Sequence, residues 1–358
     1  MFNSLRTLWI LGRNISRPGR LLNALRNRAG ARLRPDRPGY LPVALDIEPT
    51  AHCNLRCPMC QLSTWDRNPK DMTLERFRKV LDGFPTLLKI KLQGIGEPLL
   101  NREFFDMVKE AVGRGIAVEV TTNGTLLTEE NCRRLLDSGL VTIFLSVDGA
   151  TAETFERIRR GAKFARVMDG IRRLTAMRGG RRLPEIHFWT VGQAGNIQEL
   201  PALVRLAKEV GVDSLRLQYD LIYWGQEAWQ AKLEPDSLRT DSQQPTAEAM
   251  IDEARRLARQ LGVRFVVYTD NKFSWKDGKL CPWPWSSAFI SSEGDVVPCC
   301  VIGNPEVLSF GNVLKEDALP IWTGEAYQSF RRAMKRGDIP PVCTGCYLDA
   351  GRPAGERK

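Results

Sequence analysis

From Leu41 onward, short apolar runs alternate with stretches of helical periodicity. The pattern predicts strands near residues 42–48, 88–93, 116–122, 141–147, 185–191 and 213–219, with helices near 73–83, 102–114, 128–138, 165–178 and 197–210 between them. Such alternation predicts an α/β protein built on a parallel sheet with right-handed crossovers. A polar, irregular stretch over 219–246 is followed by a helix near 246–261 and a strand near 263–268.

The predicted strands share a parity. Successive side chains in a strand point to opposite faces, so Leu45 and Ile47 oppose Asp46 and Glu48, and Ile90 and Leu92 oppose Lys89, Lys91 and Gln93. Val118 and Val120 oppose Glu119, Thr121 and Asn123; Ile143, Leu145 and Val147 oppose Phe144, Ser146 and Asp148; Leu215 and Leu217 oppose Arg216 and Gln218. In the fifth strand His187 and Trp189 oppose Ile186, Phe188 and Thr190, and the pattern alone does not say which set faces inward. A parallel sheet covered by helices on both sides is apolar on both faces. A repeated polar face instead predicts a curved sheet with a wet, ligand-holding concave side. By this parity Lys91, Gln93, Glu119, Arg216 and Gln218 are candidate substrate contacts. The competing reading is an internal ion-paired layer, such as Glu119 with Arg216 or Lys91.

Two amphipathic helical stretches, 2–15 and 18–28, precede this body, with Phe2, Leu5, Leu8 and Trp9, then Leu21, Leu22 and Leu25, at helical spacing. The net charge of +10 is concentrated there: residues 1–37 hold nine arginines and one acid, Asp36, leaving the body near neutral. An Arg-rich face opposite Trp, Phe and Leu suits an anionic membrane surface. The alternatives are an arm packed on its own body or a contact to another polypeptide, while the near-neutral body disfavours nucleic acid. With 43% apolar and 26% charged residues the chain has globular composition. No run approaches the ~20 apolar residues of a membrane span, and the Leu8–Leu11 stretch is too short for a signal peptide. The expectation is a cytoplasmic protein, possible membrane-surface contact being confined to the arm. Thiols stay reduced in that compartment, so the nine cysteines ask for a metal before disulfides.

Cys53, Cys57 and Cys60 form a Cys-x3-Cys-x2-Cys run just after the first strand, where β/α sheets place ligand loops. Three thiolates on one loop can hold three irons of a 4Fe–4S cube and leave the fourth open. Zinc is the other metal this spacing allows, although His52, the nearest fourth ligand, directly adjoins Cys53 and converges on one ion awkwardly. A second set, Cys281, Cys299, Cys300, Cys343 and Cys346, follows Lys279, with a predicted hairpin turning at Gly294 and a helix near 325–336. Cys132 sits in a helical pattern and reads as core, and Cys300 reads as a packed thiol, an alternative ligand or a thiol beside the active site.

The three-cysteine run, followed by Gly96-Glu97-Pro98 after strand two, Thr122-Asn123-Gly124 after strand three and Ser146-Val147-Asp148-Gly149 after strand four, resembles the radical S-adenosylmethionine (SAM) superfamily. Ile95 stands where the family has the first glycine of Gly-Gly-Glu-Pro. The cysteine-rich tail, with Gly294-x4-Cys299, Gly311-Asn312-Val313 and a late Cys-x2-Cys, resembles the Twitch lobe, a shortened SPASM domain. The resemblance implies a partial (β/α)6 TIM-like barrel over 41–262, a small β-hairpin/helix lobe over 263–358 and the basic arm over 1–40. It implies SAM as cofactor on a 4Fe–4S cluster held by Cys53, Cys57 and Cys60, with Gly96, Glu97, Pro98, Asn123, Ser146, Asp148 and Asn196 as SAM contacts. It also implies one auxiliary 4Fe–4S cluster on Cys281, Cys299, Cys343 and Cys346, and an external electron donor such as flavodoxin or ferredoxin.

The activity so implied is reductive cleavage of SAM to a 5′-deoxyadenosyl radical that abstracts hydrogen from substrate. The expected substrate is a small or lipid-linked polar molecule undergoing net oxidation or rearrangement. The alternatives are a peptide- or protein-modifying enzyme of the same superfamily and a non-catalytic iron–sulfur electron carrier. A zinc-dependent nucleic-acid module is a further one, and it predicts a colourless protein.

Overall fold

The computed structural model describes residues 5–349, apart from 64, 66–68, 224–225 and 270–271. Phe2 of the arm and residues 350–358 of the lobe therefore lie outside the described residues. The arm forms α1 (Leu5–Asn14) and α2 (Pro18–Leu33). The body then runs β1 (Ala44–Ile47), α3 (Leu74–Gly83), β2 (Lys89–Leu92), α4 (Phe104–Gly113), β3 (Ala117–Thr122), α5 (Glu129–Asp137), β4 (Thr142–Ser146), α6 (Ala152–Ile158), α7 (Phe164–Arg178), β5 (Glu185–Val191), α8 (Leu200–Val210) and β6 (Ser214–Gln218). It continues through α9 (Glu227–Leu233), α10 (Gln244–Leu261) and β7 (Arg264–Tyr268). The last part holds α11 (Trp283–Ser286), β8 (Ser287–Ile290), β9 (Val296–Val297), α12 (Ala318–Thr323) and α13 (Glu325–Arg336).

Helix starts are set locally. Thr73, Thr128 and Thr151 each accept a hydrogen bond from the backbone N–H three residues on, satisfying a donor that the helix itself cannot. The strands pair in the order β7-β6-β5-β4-β3-β2-β1-β8-β9. Every pairing is parallel except β8 with β9. The sheet ends at β7 and β9 without closing, so the barrel is partial.

Two features exceed the six-strand expectation. The strand near 263–268 continues the sheet as β7 beside β6. The first strand of the C-terminal hairpin is not a stand-alone element: β8 pairs parallel with β1, Asp46 opposite Phe289. This satisfies backbone groups of β1 that would otherwise form an open edge. The sheet is thus continuous from the barrel into the cysteine-rich part.

The parity holds through the register. Leu45, Ile47, Ile90, Leu92, Val118, Val120, Ile143, Leu145, Leu215 and Leu217 all lie in one buried core under the helices, joined by Ile186 and Phe188. That membership settles the fifth strand: His187 and Trp189 point to the concave side, in register with Phe144 and Ser146 of β4 and with Ser214 and Arg216 of β6.

The arm packs on its own body. Asn14 Nδ2 donates to Gly115 O at 3.0 Å, Arg20 reaches Pro85 O at 3.1 Å and Arg114 O at 2.9 Å, and Asn23 exchanges two bonds with Leu41 at 3.0 and 3.2 Å. Asn27 reaches Ser286 O at 3.4 Å, and Trp285 Nε1 donates to Pro35 O at 3.0 Å. Its arginines do not all face a partner molecule: Arg17 and Arg20 cap backbone carbonyls at the foot of the barrel.

Candidate active site

The loop after β1 carries Cys53, Cys57 and Cys60. It is braced by Cys60 N donating to Cys57 O at 2.9 Å and Arg56 N donating to Arg160 O at 3.0 Å. All three thiols are free, Cys57 buried and the other two half-buried. Burial pushes each thiol up, Cys60 to about 12; charge repulsion adds to it, from Glu97 and Cys57 at Cys53, from Asp148 at Cys57, and from Cys57 and Cys53 at Cys60. Three thiols held together under desolvation favour an environment that supplies positive charge, which bound iron does. Among the described residues no three His, Cys, Asp or Glu side chains converge on a single-ion position. A 4Fe–4S cube binds each thiolate to a different iron, so three thiols on one loop can hold it with the fourth iron open. His52 turns away from the cysteines, its Nδ1 lying 3.1 Å from Asp71 Oδ1.

Around this loop stand the carboxyl ends of β2 to β5. At Gly96 an added Cβ would lie 2.2 Å from Thr50 O and 2.6 Å from His52 O, so only glycine permits this approach of the two backbones. Glu97 is buried and accepts from Asn123 N at 2.6 Å, Thr122 Oγ1 at 2.7 Å and Leu99 N at 3.2 Å. Its neighbour Pro98 opens the short turn that Glu97 caps. Asn123 Nδ2 donates to Asn54 Oδ1 at 2.9 Å and lies 4.0 Å from Cys53 Sγ. Ser146 ends β4, and two residues on Asp148 is fully buried, accepting from Val191 N at 2.7 Å. Asn196 uses both amide hydrogens inside the protein, on Asp148 O at 3.0 Å and Val191 O at 2.9 Å, and so ties the β4 and β5 loops together.

One residue escaped the sequence reading. Arg159, in the loop after α6, forms an ion pair with Asp148 and a hydrogen bond to Cys57. Burial alone opposes its charge, but Asp148 and the Cys57 thiol hold it protonated above its ordinary value. Its guanidinium also acts on Cys53, Cys60 and Glu97. In the sequence it stands between Arg157 and Arg160, with nothing to separate it from surface charge.

The concave face below holds the candidate substrate contacts. Asp46, Lys91 and Glu119 are in register across β1, β2 and β3. Gln93 Nε2 donates to Asp46 Oδ2 at 2.5 Å, and Gln93 Oε1 accepts from Thr121 Oγ1 at 3.1 Å. Glu119 pairs with Lys89 at 3.5 Å, a partner the parity argument did not name. Lys91 Nζ lies 4.5 Å from the Phe144 ring centre and 5.3 Å from that of Trp189, and burial lowers its pKa. Arg216 lies 4.9 Å from Phe144, and Trp189 stacks on Tyr268 at 5.3 Å. Gln218 accepts from Trp189 Nε1 at 3.2 Å and donates to Asp220 O at 2.9 Å. Lys91 and Arg216 thus present cations against aromatic faces, while Gln93, Glu119 and Gln218 are engaged within the layer.

The second cysteine set divides. The Cys343 thiol is pushed up by burial and by its neighbours Cys299, Cys281 and Cys346, which places these four together. Cys281, Cys343 and Cys346 sit beside a buried cluster of Leu280, Trp285, Phe330, Met334 and Tyr347, and Cys299 packs against Phe289, Val297 and Ile302. Cys300 instead hydrogen-bonds Asp46 at the edge of the concave face. Cys132 is buried in the main core.

An open parallel barrel with a three-cysteine loop at its carboxyl end, joined to a lobe with a four-cysteine group, defines an iron–sulfur protein of the radical SAM type. Residues 47–214 match the model of the radical SAM superfamily, and residues 281–347 match that of the SPASM iron–sulfur cluster-binding domain. The chain is 30% identical over 328 residues to a tungsten-containing aldehyde ferredoxin oxidoreductase cofactor-modifying protein of Pyrococcus furiosus, covering 85% of this chain and 87% of that one. It is 26% identical over 313 residues to a PqqA peptide cyclase of Bradyrhizobium diazoefficiens, covering 86% of this chain and 79% of that one. Streptococcus suis SuiB, solved with its precursor peptide SuiA, has the same fold, with a TM-score of 0.66 at 18% identity over 87% of this chain and 71% of that one. The chain belongs to the radical SAM superfamily and carries a SPASM domain. Its cofactors are accordingly SAM, a radical-SAM 4Fe–4S cluster and auxiliary iron–sulfur binding in the SPASM region. Among the described residues no helix is long and apolar enough to cross a membrane.

Proposed function

We propose that the protein is a radical SAM enzyme that modifies a peptide or protein substrate by hydrogen abstraction followed by net oxidation. The observation that carries this reading is the pairing of the SAM-type cysteine loop with the auxiliary four-cysteine group in a chain that aligns along 86% of its length with a peptide cyclase. It replaces the expectation of a small or lipid-linked substrate, which rested on the basic arm; the arm packs at the foot of the barrel, away from the cysteine loop. A second reading, modification of a cofactor, is favoured by the 30% identity to a cofactor-modifying protein.

When bound, the first cluster and SAM supply a 5′-deoxyadenosyl radical. The chain's own residues do the rest. Cys53, Cys57 and Cys60 hold the first cluster, and Cys281, Cys299, Cys343 and Cys346 hold one auxiliary cluster. Gly96, Glu97 and Pro98 place backbone against the amino end of SAM. Asn123, Ser146 and Asp148 shape the rest of its site, with Asn196 positioning Asp148 and Val191 rather than touching SAM. Arg159 offers a cation beside the loop for the SAM carboxylate. Lys91 and Arg216 orient the substrate through charge, and Trp189 and Tyr268 shield the chamber from water. An external donor such as flavodoxin or ferredoxin supplies electrons.

The test is anaerobic. Protein reconstituted with iron and sulfide is given dithionite, SAM and either peptide pools or small cofactor-like molecules. Formation of 5′-deoxyadenosine with a mass loss of about two hydrogens on a peptide, abolished by Cys57→Ala, supports the proposal. Turnover confined to small molecules overturns the peptide reading, and iron-loaded protein that cleaves no SAM with any substrate returns it to an electron carrier.

A further inference from the structure

A surface helix ordinarily buries its apolar stripe and exposes its polar one. Helix α2 does the reverse. Its buried residues are Asn23, Asn27 and Gly30, which bond or pack onto the body. Its exposed side carries Leu22, Leu25, Ala29 and Leu33, which at 3.6 residues per turn fall on one stripe. Leu22 is 49% exposed, Leu25 66%, Leu33 81%, and Ile15 in the turn before the helix 78%. Only Leu319 and Leu348 are comparably exposed large apolar side chains among the other described residues. Beside the stripe stand the exposed Arg26, Arg28 and Arg32. The one acid of the segment, Asp36, is paired with Lys335 at 2.7 Å and does not offset them.

We propose that this face of α2 docks the protein on a bilayer bearing anionic headgroups. A leucine stripe one helix wide inserts into the headgroup boundary, while flanking arginines extend their charged ends to phosphate along apolar stems. A specific protein partner ordinarily needs a broader surface, about 800 Å² on each side, than a stripe one helix wide of three leucines and an alanine offers. The helix is held to the body through its polar side, so docking requires no unpacking.

The attachment points fix the orientation. The arm bonds Gly115 just before β3, Pro85 before β2, Leu41 before β1 and Ser286 before β8. It therefore lies across the amino ends of the strands, whereas the cysteine loop follows the carboxyl end of β1. At about 3.3 Å per residue, the four-residue β1 sets the two ends about 13 Å apart and the six-residue β3 about 20 Å. A docked molecule turns its chamber away from the lipid, and its substrate arrives from the aqueous side. The inference stands independently of the substrate class proposed above.

The experiment is flotation of the full chain with vesicles of phosphatidylcholine alone or mixed with phosphatidylglycerol. Wild type should float with the anionic vesicles only. Arg26→Gln with Arg32→Gln should weaken partition by about 25-fold, at about fivefold per arginine. Leu25→Ser with Leu33→Ser should weaken it by about tenfold or more. Reductive SAM cleavage in solution should be unchanged in both variants, showing that the fold is intact. No binding by wild type, equal binding to neutral vesicles, or variants that bind like wild type overturns the proposal. So does a dimer in light scattering that Leu25→Ser with Leu33→Ser dissolves, because a second copy then covers the face.

Discussion

Replacing Gly96 by alanine adds a single carbon at the tightest backbone approach around the cysteine loop. That carbon would stand 2.2 Å from Thr50 O and 2.6 Å from His52 O. An ordinary contact begins at 3.4 Å, so the two segments must part by about 1 Å or more. Neither obstacle is a flexible side-chain tip; both are backbone carbonyls in the stretch that leads into Cys53. One of them, His52 O, accepts from Glu97 N at 2.8 Å, and that bond must lengthen as well. Overpacking of this kind destabilises by about 1–3 kcal/mol, which a domain of this size survives. A 1 Å misplacement of reacting groups lowers a rate by about a hundredfold. The expected outcome is a folded protein with reduced iron content and about a hundredfold slower 5′-deoxyadenosine formation under dithionite. Gly113→Ala is the control, since nothing lies within 4 Å of its added carbon and the position ends a helix; it should leave iron and rate unchanged. Gly96→Ala protein with full iron and a rate within about threefold of wild type would refute the claim that this approach positions the loop.

Further outcomes follow from the same geometry. Arg159→Met removes the cation from a fully buried Asp148 and should destabilise by about 3–5 kcal/mol in denaturant unfolding; adding Asp148→Asn should recover part of that loss, and no recovery would argue against the pair. Burial holds the His187 pKa below its usual 6.5, so the unfolded chain takes up this proton first as pH falls. Stability should therefore drop on acidification below about 6.5 until the folded pKa is passed, and His187→Gln should lose that component; unfolding free energies of the two proteins that run parallel over this range would contradict it. Cys343→Ala should lose the auxiliary iron and keep the first cluster, about four irons per chain instead of about eight by iron assay, whereas full loss would mean the two sites do not fold independently.

The order of strands and helices was legible in the chain alone, because hydrophobic periodicity is a local signal carried by residues a few positions apart. Parity within strands separated Leu45, Ile90, Val118 and Leu215 from Asp46, Lys91, Glu119 and Arg216, and a sheet fixes that alternation wherever the strand lies. The cysteine spacings singled out the first triad, since ligands on one short loop are neighbours in any fold. Three things needed the tertiary structure. Pairing of β8 with β1 joins residues more than two hundred positions apart, and no local pattern encodes which edge a hairpin meets. Arg159 reaches Asp148 and Cys57 only because α6 returns its end to the loop, so its role is invisible among neighbouring arginines. The arm's amphipathic pattern is real, but amphipathicity does not say which face is inward. Backbone carbonyls left open at the foot of the barrel bind asparagine and arginine, and that demand turned the polar side of α2 in and left Leu22, Leu25 and Leu33 facing out.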